Sequence, residues 1–176
     1  TIVDNGDGSI KVVGGEGTDT VSQVEFLQFG SSTYSLQPGS SGKDTIVGTT
    51  GKDIVLAGGE DDSILGTLGD DLIDGAAHGT GGDTLSFELI STSVTVDLDA
   101  GTASGTGIGK DVISNIENVT GGSAADTITG TDTENTLIGN GGADTINAGA
   151  GSDSINAGDG ADTVDLGGGG SGDGDS

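Results

Sequence analysis

Gly149-Ala150-Gly151-Ser152-Asp153-Ser154-Ile155-Asn156 is followed, after Ala157, by Gly158-Asp159-Gly160-Ala161-Asp162-Thr163-Val164-Asp165. The second run repeats the first at an offset of nine residues: glycines, then Asp, then an aliphatic residue two places on. Glycine supplies the positive φ that a tight turn needs. The three residues after Asp153 read polar–aliphatic–polar, a short strand with its middle side chain turned inward. One such strand buries nothing useful. Stacked copies bury a continuous aliphatic column, so units of this kind must stack.

The period extends outward from this pair. Asp126, Asn135, Asp144, Asp153 and Asp162 stand nine residues apart, with Ile128, Leu137, Ile146, Ile155 and Val164 two places after them. An upstream series, Asp44, Asp53, Asp62 and Asp71, carries Ile46, Val55, Ile64 and Ile73 in the same way. Two units make one coil of 18 residues, so alternate units lie over one another. Asp44 then lies under Asp62, and Asp53 under Asp71. Asp126, Asp144 and Asp162 form one row; Asn135 and Asp153 form the other.

The segment between the two series is different. Gly75–Gly82 carries three extra residues before Asp83-Thr84-Leu85-Ser86. Val94–Leu98 alternates as a strand, Ala100–Gly109 reads as a glycine-rich turn, and Asp111–Val119 leads back into the repeats. Asp19–Leu27 echoes Asp111–Val119, and both read as wider coils extending the same stack. Asp4–Gly8 reads as a strand-connecting turn, and the chain from Gly167 as flexible linker. This divides the chain into an N-terminal β segment with capping coils (1–38), a first repeat block (39–83), a connecting β segment (84–120), a second block (121–166) and a Gly/Ser/Asp-rich tail (167–176).

Composition points the same way. Of 176 residues, 38 are Gly and four are aromatic, with no Cys, Met or Trp. A core of large side chains is not available, which leaves a thin repetitive core or a disordered acidic chain. There are 29 acidic residues against four lysines, a net charge of −25. Nucleic acid and anionic membrane surfaces are excluded as partners, because phosphate binding needs clustered Lys and Arg. No segment is apolar enough to span a bilayer, and no membrane insertion is expected. Without Cys there is no disulfide framework and no thiolate metal site, which leaves secretion open. No signal peptide is visible, and the chain begins at Thr1, so it reads as part of a longer protein.

A chain this acidic repels itself when compact and needs a cation. Calcium takes six to eight oxygen ligands from carboxylates and carbonyls. Stacked Asp-tipped glycine turns offer both, and a dication turns the repulsion between neighbouring carboxylates into attraction. Magnesium demands tighter octahedral geometry and holds its waters. Zinc wants His or Cys, and the chain has one His.

These residues resemble the RTX (repeats-in-toxin) hemolysin-type family, with its Gly-Gly-x-Gly-x-Asp-x-aliphatic-x consensus. Gly14–Ser22 matches that consensus at every fixed position. Gly39–Asp74 and Gly121–Asp165 match it with deviations, and Val94–Gly105 and Ile113–Gly122 resemble segments seen between such blocks. The resemblance implies an all-β fold, a parallel β-roll or right-handed β-solenoid with two nonapeptides per coil. It implies several calcium ions held by Asp44, Asp53, Asp62, Asp71, Asp83, Asp126, Asp144, Asp153 and Asp162, and by carbonyls at glycine positions such as Gly42, Gly51, Gly142 and Gly151. It also implies type I secretion from Gram-negative bacteria and folding outside the cell. Family members include cytolysins, metalloproteases, lipases, alginate epimerases, adhesins and surface-layer proteins.

Departures from the consensus rank the sites. Glu60, Ala124 and Thr133 stand where glycine is usual, so their turns are expected to be strained or differently shaped. Asn135 replaces an Asp and removes a charge. The strongest sites are expected around Asp144, Asp153 and Asp162, and around Asp44, Asp53 and Asp71. Asp19 has no in-phase neighbour and is expected to be structural.

The remaining features read as scaffold. His78 lies in the three-residue insertion with no nucleophile pattern near it. Lys43 and Lys52 occupy equivalent turn positions and trim surface charge. Phe26, Phe29, Tyr34 and Phe87 are expected to pack the wider coils or an end of the stack, with carbohydrate stacking as the alternative for Tyr34. Asp61-Asp62 resembles a glycosidase pair, but its nine-residue repetition marks it as ladder. Ser41, Thr50, Gly59 and Leu68 form no regular ice-binding row. The expected function is a non-catalytic, calcium-binding module of a secreted bacterial protein, extracellular or on the cell surface. An adhesive or surface-assembly element, or an accessory module of an exported polysaccharide-modifying enzyme, is the alternative. Its partners would be another copy, the cell surface or a glycan.

Overall fold

The computed structural model describes residues 2–4, 9–14, 17–22, 26–66 and 68–167. Among them there is no helix, and hence none long and apolar enough to cross a membrane. Among the described residues nineteen strands, numbered in chain order, form three sheets. The first is antiparallel: β1 (Ile2–Asp4), β2 (Ser9–Gly14) and β3 (Gly17–Ser22).

The other two sheets face each other and make the solenoid, about seven turns long. β4 (Phe26–Phe29) and β5 (Ser32–Ser40) begin the larger one. The coils then alternate between sheets. β6 (Thr45–Val47), β8 (Ser63–Leu65) and β10 (Thr84–Ser86) enter the smaller sheet. β7 (Asp53–Gly58) and β9 (Leu72–Asp74) enter the larger. β11 (Val94–Asp97), β12 (Thr102–Gly105) and β13 (Gly109–Ser114) all follow in the larger sheet. Alternation resumes with β14 (Asn118–Thr120), β16 (Thr136–Ile138) and β18 (Ser154–Asn156) opposite β15 (Thr127–Thr129), β17 (Thr145–Asn147) and β19 (Thr163–Asp165).

The aliphatic residue of each unit falls in register with its neighbours. In the smaller sheet Ile46, Ile64, Leu85, Val119, Leu137 and Ile155 form one unbroken parallel column. In the larger, Val55 pairs with Ile73 and Ile73 with Ile113, while Val96, Ile128, Ile146 and Val164 continue further along. Most of these side chains are fully buried between the sheets. Each fully buried Ile or Leu contributes roughly 1.5–3 kcal/mol, so the column, repeated coil after coil, is the core.

The connecting segment departs from the expected plan. Ala100–Gly109 is not one turn: it contains β12, which pairs antiparallel with β11 and β13. The larger sheet thus holds three strands where the smaller holds only β10. The smaller sheet is continuous, so on that side the two repeat blocks are a single stack. Phe87 and Ile108, both fully buried, fill the widened interior. Phe26 and Phe29, expected as packing residues, are exposed at 60% and 42%. Tyr34 is half-buried against Ile54 and Leu56, and Phe29 meets its ring edge-on at 6.0 Å.

Asp19–Ser22 is not part of a wider coil, and 23–25 lie outside the described residues. Gly17–Ser22 is β3, paired antiparallel with β2 in the separate three-stranded sheet, so Asp19 falls within a strand there. A single unit with no in-phase neighbour has nothing to stack on, and it pairs with the strand before it instead. The expected turn at Asp4–Gly8 and the tail beyond Gly167 lie largely outside the described residues.

Glycine is required where turns stack. A Cβ on Gly158 would lie 1.9 Å from the Asn140 carbonyl oxygen, and one on Gly149 would lie 2.0 Å from that of Thr131. Both have left-handed φ, 90° and 93°.

Candidate metal centres in the stacked turns

Most ladder residues immediately precede their strand, Asp53 opens β7 and Asp111 lies within β13, so the strand register stacks the carboxylates as firmly as the aliphatic column. The carboxylate of one coil accepts the main-chain N–H of the ladder residue in the coil before it. Asp44 N–H donates to Asp62 Oδ1 at 2.7 Å and Asp53 N–H to Asp71 Oδ1 at 2.8 Å. In the second block Asp126 donates to Asp144 at 2.8 Å, Asn135 to Asp153 at 2.9 Å and Asp144 to Asp162 at 2.9 Å. The stacking of Asp44 under Asp62, Asp53 under Asp71, and the two rows of the second block, is the expected one.

The rows also extend through the connecting segment. Asp62 N–H donates to Asp83 Oδ1 at 2.7 Å, across the three-residue insertion. Asp83 N–H donates in turn to Glu117 Oε2 at 2.8 Å. Glu117 precedes β14 and so stands in the ladder position between Asp83 and Asn135. On the other side Asp71 N–H donates to Asp111 Oδ1 at 3.0 Å. Neither Asp111 nor Glu117 was among the expected ladder residues. Both show acid-x-aliphatic spacing, Asp111-Val112-Ile113 and Glu117-Asn118-Val119; Asp111 is out of phase with the period, whereas Glu117 stands nine residues before Asp126 and continues the second series with Glu in place of Asp.

Burial is deep. Asp53 and Asp83 are fully inaccessible, and Asp62, Asp71, Asp111, Asp126, Asp144 and Asp153 nearly so. The second carboxylate oxygens of Asp62, Asp83 and Asp144 are buried with no hydrogen-bond partner. A buried, unsatisfied carboxylate oxygen is strongly unfavourable unless a proton or a cation meets it. Burial pushes the carboxyls of Asp71 and Asp83 up to about 6 and that of Asp111 up to about 7. The neighbouring ladder carboxylates push the same way, and the main-chain N–H bonds oppose them. Asp62 and Asp126 are also raised, chiefly by burial.

The surface around the ladder is trimmed by the lysines. Lys43 Nζ reaches Asp61 and Lys52 Nζ reaches Asp70, each at 2.7 Å and each one coil on. These contacts hold both carboxyls below the ordinary range. His78 packs beside the ladder: its Nδ1–H donates to the Gly79 carbonyl, and Nε2 stands 3.6 Å from Glu117. Both contacts raise its pKa. A cleft of about 280 Å³ lies beside Ile113–Glu117, Thr131 and Thr133. Among the described residues on its wall, Glu117 is the single titratable group.

Positions usually held by glycine resolve in two ways. Glu60 is left-handed at φ 69°, the strained outcome. Ala124 and Thr133 are not left-handed, so their turns have a different shape. Gly142 and Gly151 are left-handed at 133° and 128°, while Gly42 and Gly51 are not.

The family model for the RTX calcium-binding nonapeptide repeat matches residues 38–76, 120–155 and 138–172. The chain belongs to the RTX calcium-binding nonapeptide repeat family. Among curated proteins none matches it. RTX nonapeptide repeats bind calcium, and the several repeats here imply several ions. The donor set fits this ion. Among the described residues no three acidic or His side chains converge on one point. Ladder carboxylates and backbone carbonyls are the hard oxygen donors calcium prefers, and the stacked turns offer both. The partnerless oxygens of Asp62, Asp83 and Asp144 are where positive charge is missing.

Proposed function

We propose that this RTX β-roll is a non-catalytic module of a secreted bacterial protein, extended where calcium is scarce and folded by calcium outside the cell. The carboxylate ladder would hold the ions, with Asp62, Asp71, Asp83, Asp144, Asp153 and Asp162 as carboxylate ligands and turn carbonyls around Gly142 and Gly151 completing each shell. The supporting observation is the set of buried carboxylate oxygens without partners. Bound calcium supplies the charge these oxygens lack. The residues of the chain fix the spacing through the strand register and shield the site from water through the stacked aliphatic column. Each ion bound only by the folded state stabilises it by about 2.7 kcal/mol at one hundred times its dissociation constant. Linked sites give a steep response. Circular dichroism through a calcium titration at neutral pH tests this. The expected result is a cooperative rise from a disordered spectrum to strand signal. Full strand signal in chelator would sink the reading.

A second reading, adhesive or surface assembly, draws support from exposed aliphatic residues on and beside edge strand β19. Val164 and Leu166 are 39% and 47% exposed, and an open edge invites pairing. Light scattering with and without calcium separates the two. Calcium-dependent growth in mass is expected if the module assembles, and a strict monomer in both conditions removes this reading.

A further inference from the structure

Among the described residues, eight of the stacked turns fall into two backbone classes. In the first, the second and fourth residues of the turn are both left-handed: Gly58 and Glu60, Asn140 and Gly142, Gly149 and Gly151, Gly158 and Gly160. In the second class neither is left-handed. Its members run over 39–44, 48–53, 121–126 and 130–135.

Turns of the second class close on themselves. The N–H of the second residue donates to the turn's own ladder side chain: Ser40 to Asp44 at 2.6 Å, and Thr49 to Asp53, Gly122 to Asp126 and Thr131 to Asn135 at 2.7 Å. Where that residue is Ser or Thr, its hydroxyl donates to the same oxygen, at 2.8 Å for Asp44 and 3.1 Å for Asp53 and Asn135. The hydroxyl also accepts the N–H of the fourth residue, Gly42, Gly51 or Thr133, at 3.1–3.2 Å. In the first class, by contrast, the second oxygens of Asp62 and Asp144 are buried and partnerless.

The classes are ordered along the stack. Each repeat block opens with a self-closed coil, 39–53 in the first and 121–135 in the second. Left-handed turns lie directly on it, with Gly58 pressed on the Ser40 carbonyl, Gly142 on Ala124, and Gly149 and Gly151 on Thr131 and Thr133. An N–H and an O–H aimed at one carboxylate oxygen supply the positive end that a cation supplies elsewhere, and they occupy the lone pairs a metal would need.

We infer that the opening coil of each block closes its own turns with hydrogen bonds and takes no calcium within them. The ions are confined to the left-handed turns stacked above. Asn135 is the chain's own demonstration. It stands in the ladder, fully buried, with an amide for a carboxylate. Its Oδ1 accepts from Thr131, and its Nδ2 donates to the Glu117 carbonyl at 2.7 Å. A donor in that place repels a cation and substitutes for it.

The inference rests on the calcium reading, and the test separates the two. Bound calcium is counted by native mass spectrometry and titration calorimetry in the wild type and in Asp53→Asn, Asn135→Asp and Asp144→Asn. Asp53→Asn copies the pairing already present at Asn135, so its ion count should equal the wild type's. Asn135→Asp should gain none, because Thr131 already serves that oxygen. Asp144→Asn should lose at least one. A loss in Asp53→Asn, a gain in Asn135→Asp or a full count in Asp144→Asn overturns the inference while calcium binding stands. Zero ions in the wild type removes both. Should either Asp→Asn variant fail to fold, the count in Asn135→Asp decides.

Discussion

In chelator, the chain should be largely unfolded above pH 7 and should gain strand signal as the pH falls toward about 4. The buried carboxyls of Asp71 and Asp83 stand near 6 and that of Asp111 near 7. In the unfolded chain the same groups titrate near 3.9. A folded-state pKa above the unfolded one means the fold binds protons more tightly than the coil does. Its stability is then fully present below the unfolded value and is lost as pH rises through about 6 and then about 7. Protonation also lowers the net charge of −25, and that self-repulsion acts with the same sign. Calcium should reverse the trend. Protons and calcium compete for the same oxygens, so the calcium needed for half-folding should rise as the solution is acidified. Circular dichroism against pH, with and without calcium, reads both. A metal-free signal that is flat with pH, or that strengthens toward alkaline pH, would contradict the buried-carboxylate account.

Phe87→Ala should be the most damaging single truncation in the interior. Phe87 is fully buried and is the largest side chain in the core. A Cβ placed on Gly66 would lie 2.2 Å from its ring, so the ring rests directly on that backbone. No aliphatic neighbour can move in to replace it, because the surrounding column is pinned by strand register. Removing a buried Phe costs about 3–5 kcal/mol, against a total of about 5–15 kcal/mol for an ordinary domain. Thermal melting in saturating calcium should fall by roughly 6–20 °C, taking about 2–4 °C per kcal/mol for a chain of this size. Leu89→Ala is the control: Leu89 is 77% exposed, and its loss should be within about 0.5 kcal/mol of neutral. Equal shifts for the two variants would mean that the interior around Phe87 is not closely packed.

The repeats were legible because each unit is local. A glycine turn, an acid and one aliphatic residue are read within nine positions, and the offset of 18 then assigns the row. What was not legible depended on phase or on partners. Asp111 occupies a ladder position 40 residues after the residue whose N–H it accepts, and no fixed period finds it. Glu117 accepts from Asp83, 34 residues before it, yet stands nine residues before Asp126; the period reaches it, but a Glu stands where the ladder elsewhere has Asp or Asn. β12 was hidden because Thr102–Gly105 is short, polar and glycine-bounded, and only pairing with β11 and β13 makes it a strand. Gly14–Ser22 misled in the opposite sense: it matches the consensus at every fixed position, yet Gly17–Ser22 pairs antiparallel with β2 in a separate sheet. Three of the four self-closed turns carry a hydroxyl residue, Ser40, Thr49 or Thr131, whose side-chain bonds reach only within one turn, and the fourth closes through the Gly122 N–H alone, which no side chain announces.

The hairpin strands have a geometric consequence. Between β9 and β15 the larger sheet carries β13, β12 and β11, while between β8 and β14 the smaller carries β10 alone. Neighbouring strands lie about 4.8 Å apart, so two additional strands lengthen one wall by about 10 Å over the same span of chain. The two repeat blocks are therefore three strands apart along the larger sheet and one strand apart along the smaller. Phe87 and Ile108 fill the space this opens between the walls, so the spacing of the blocks on the larger side is set by three short strands rather than by the repeat.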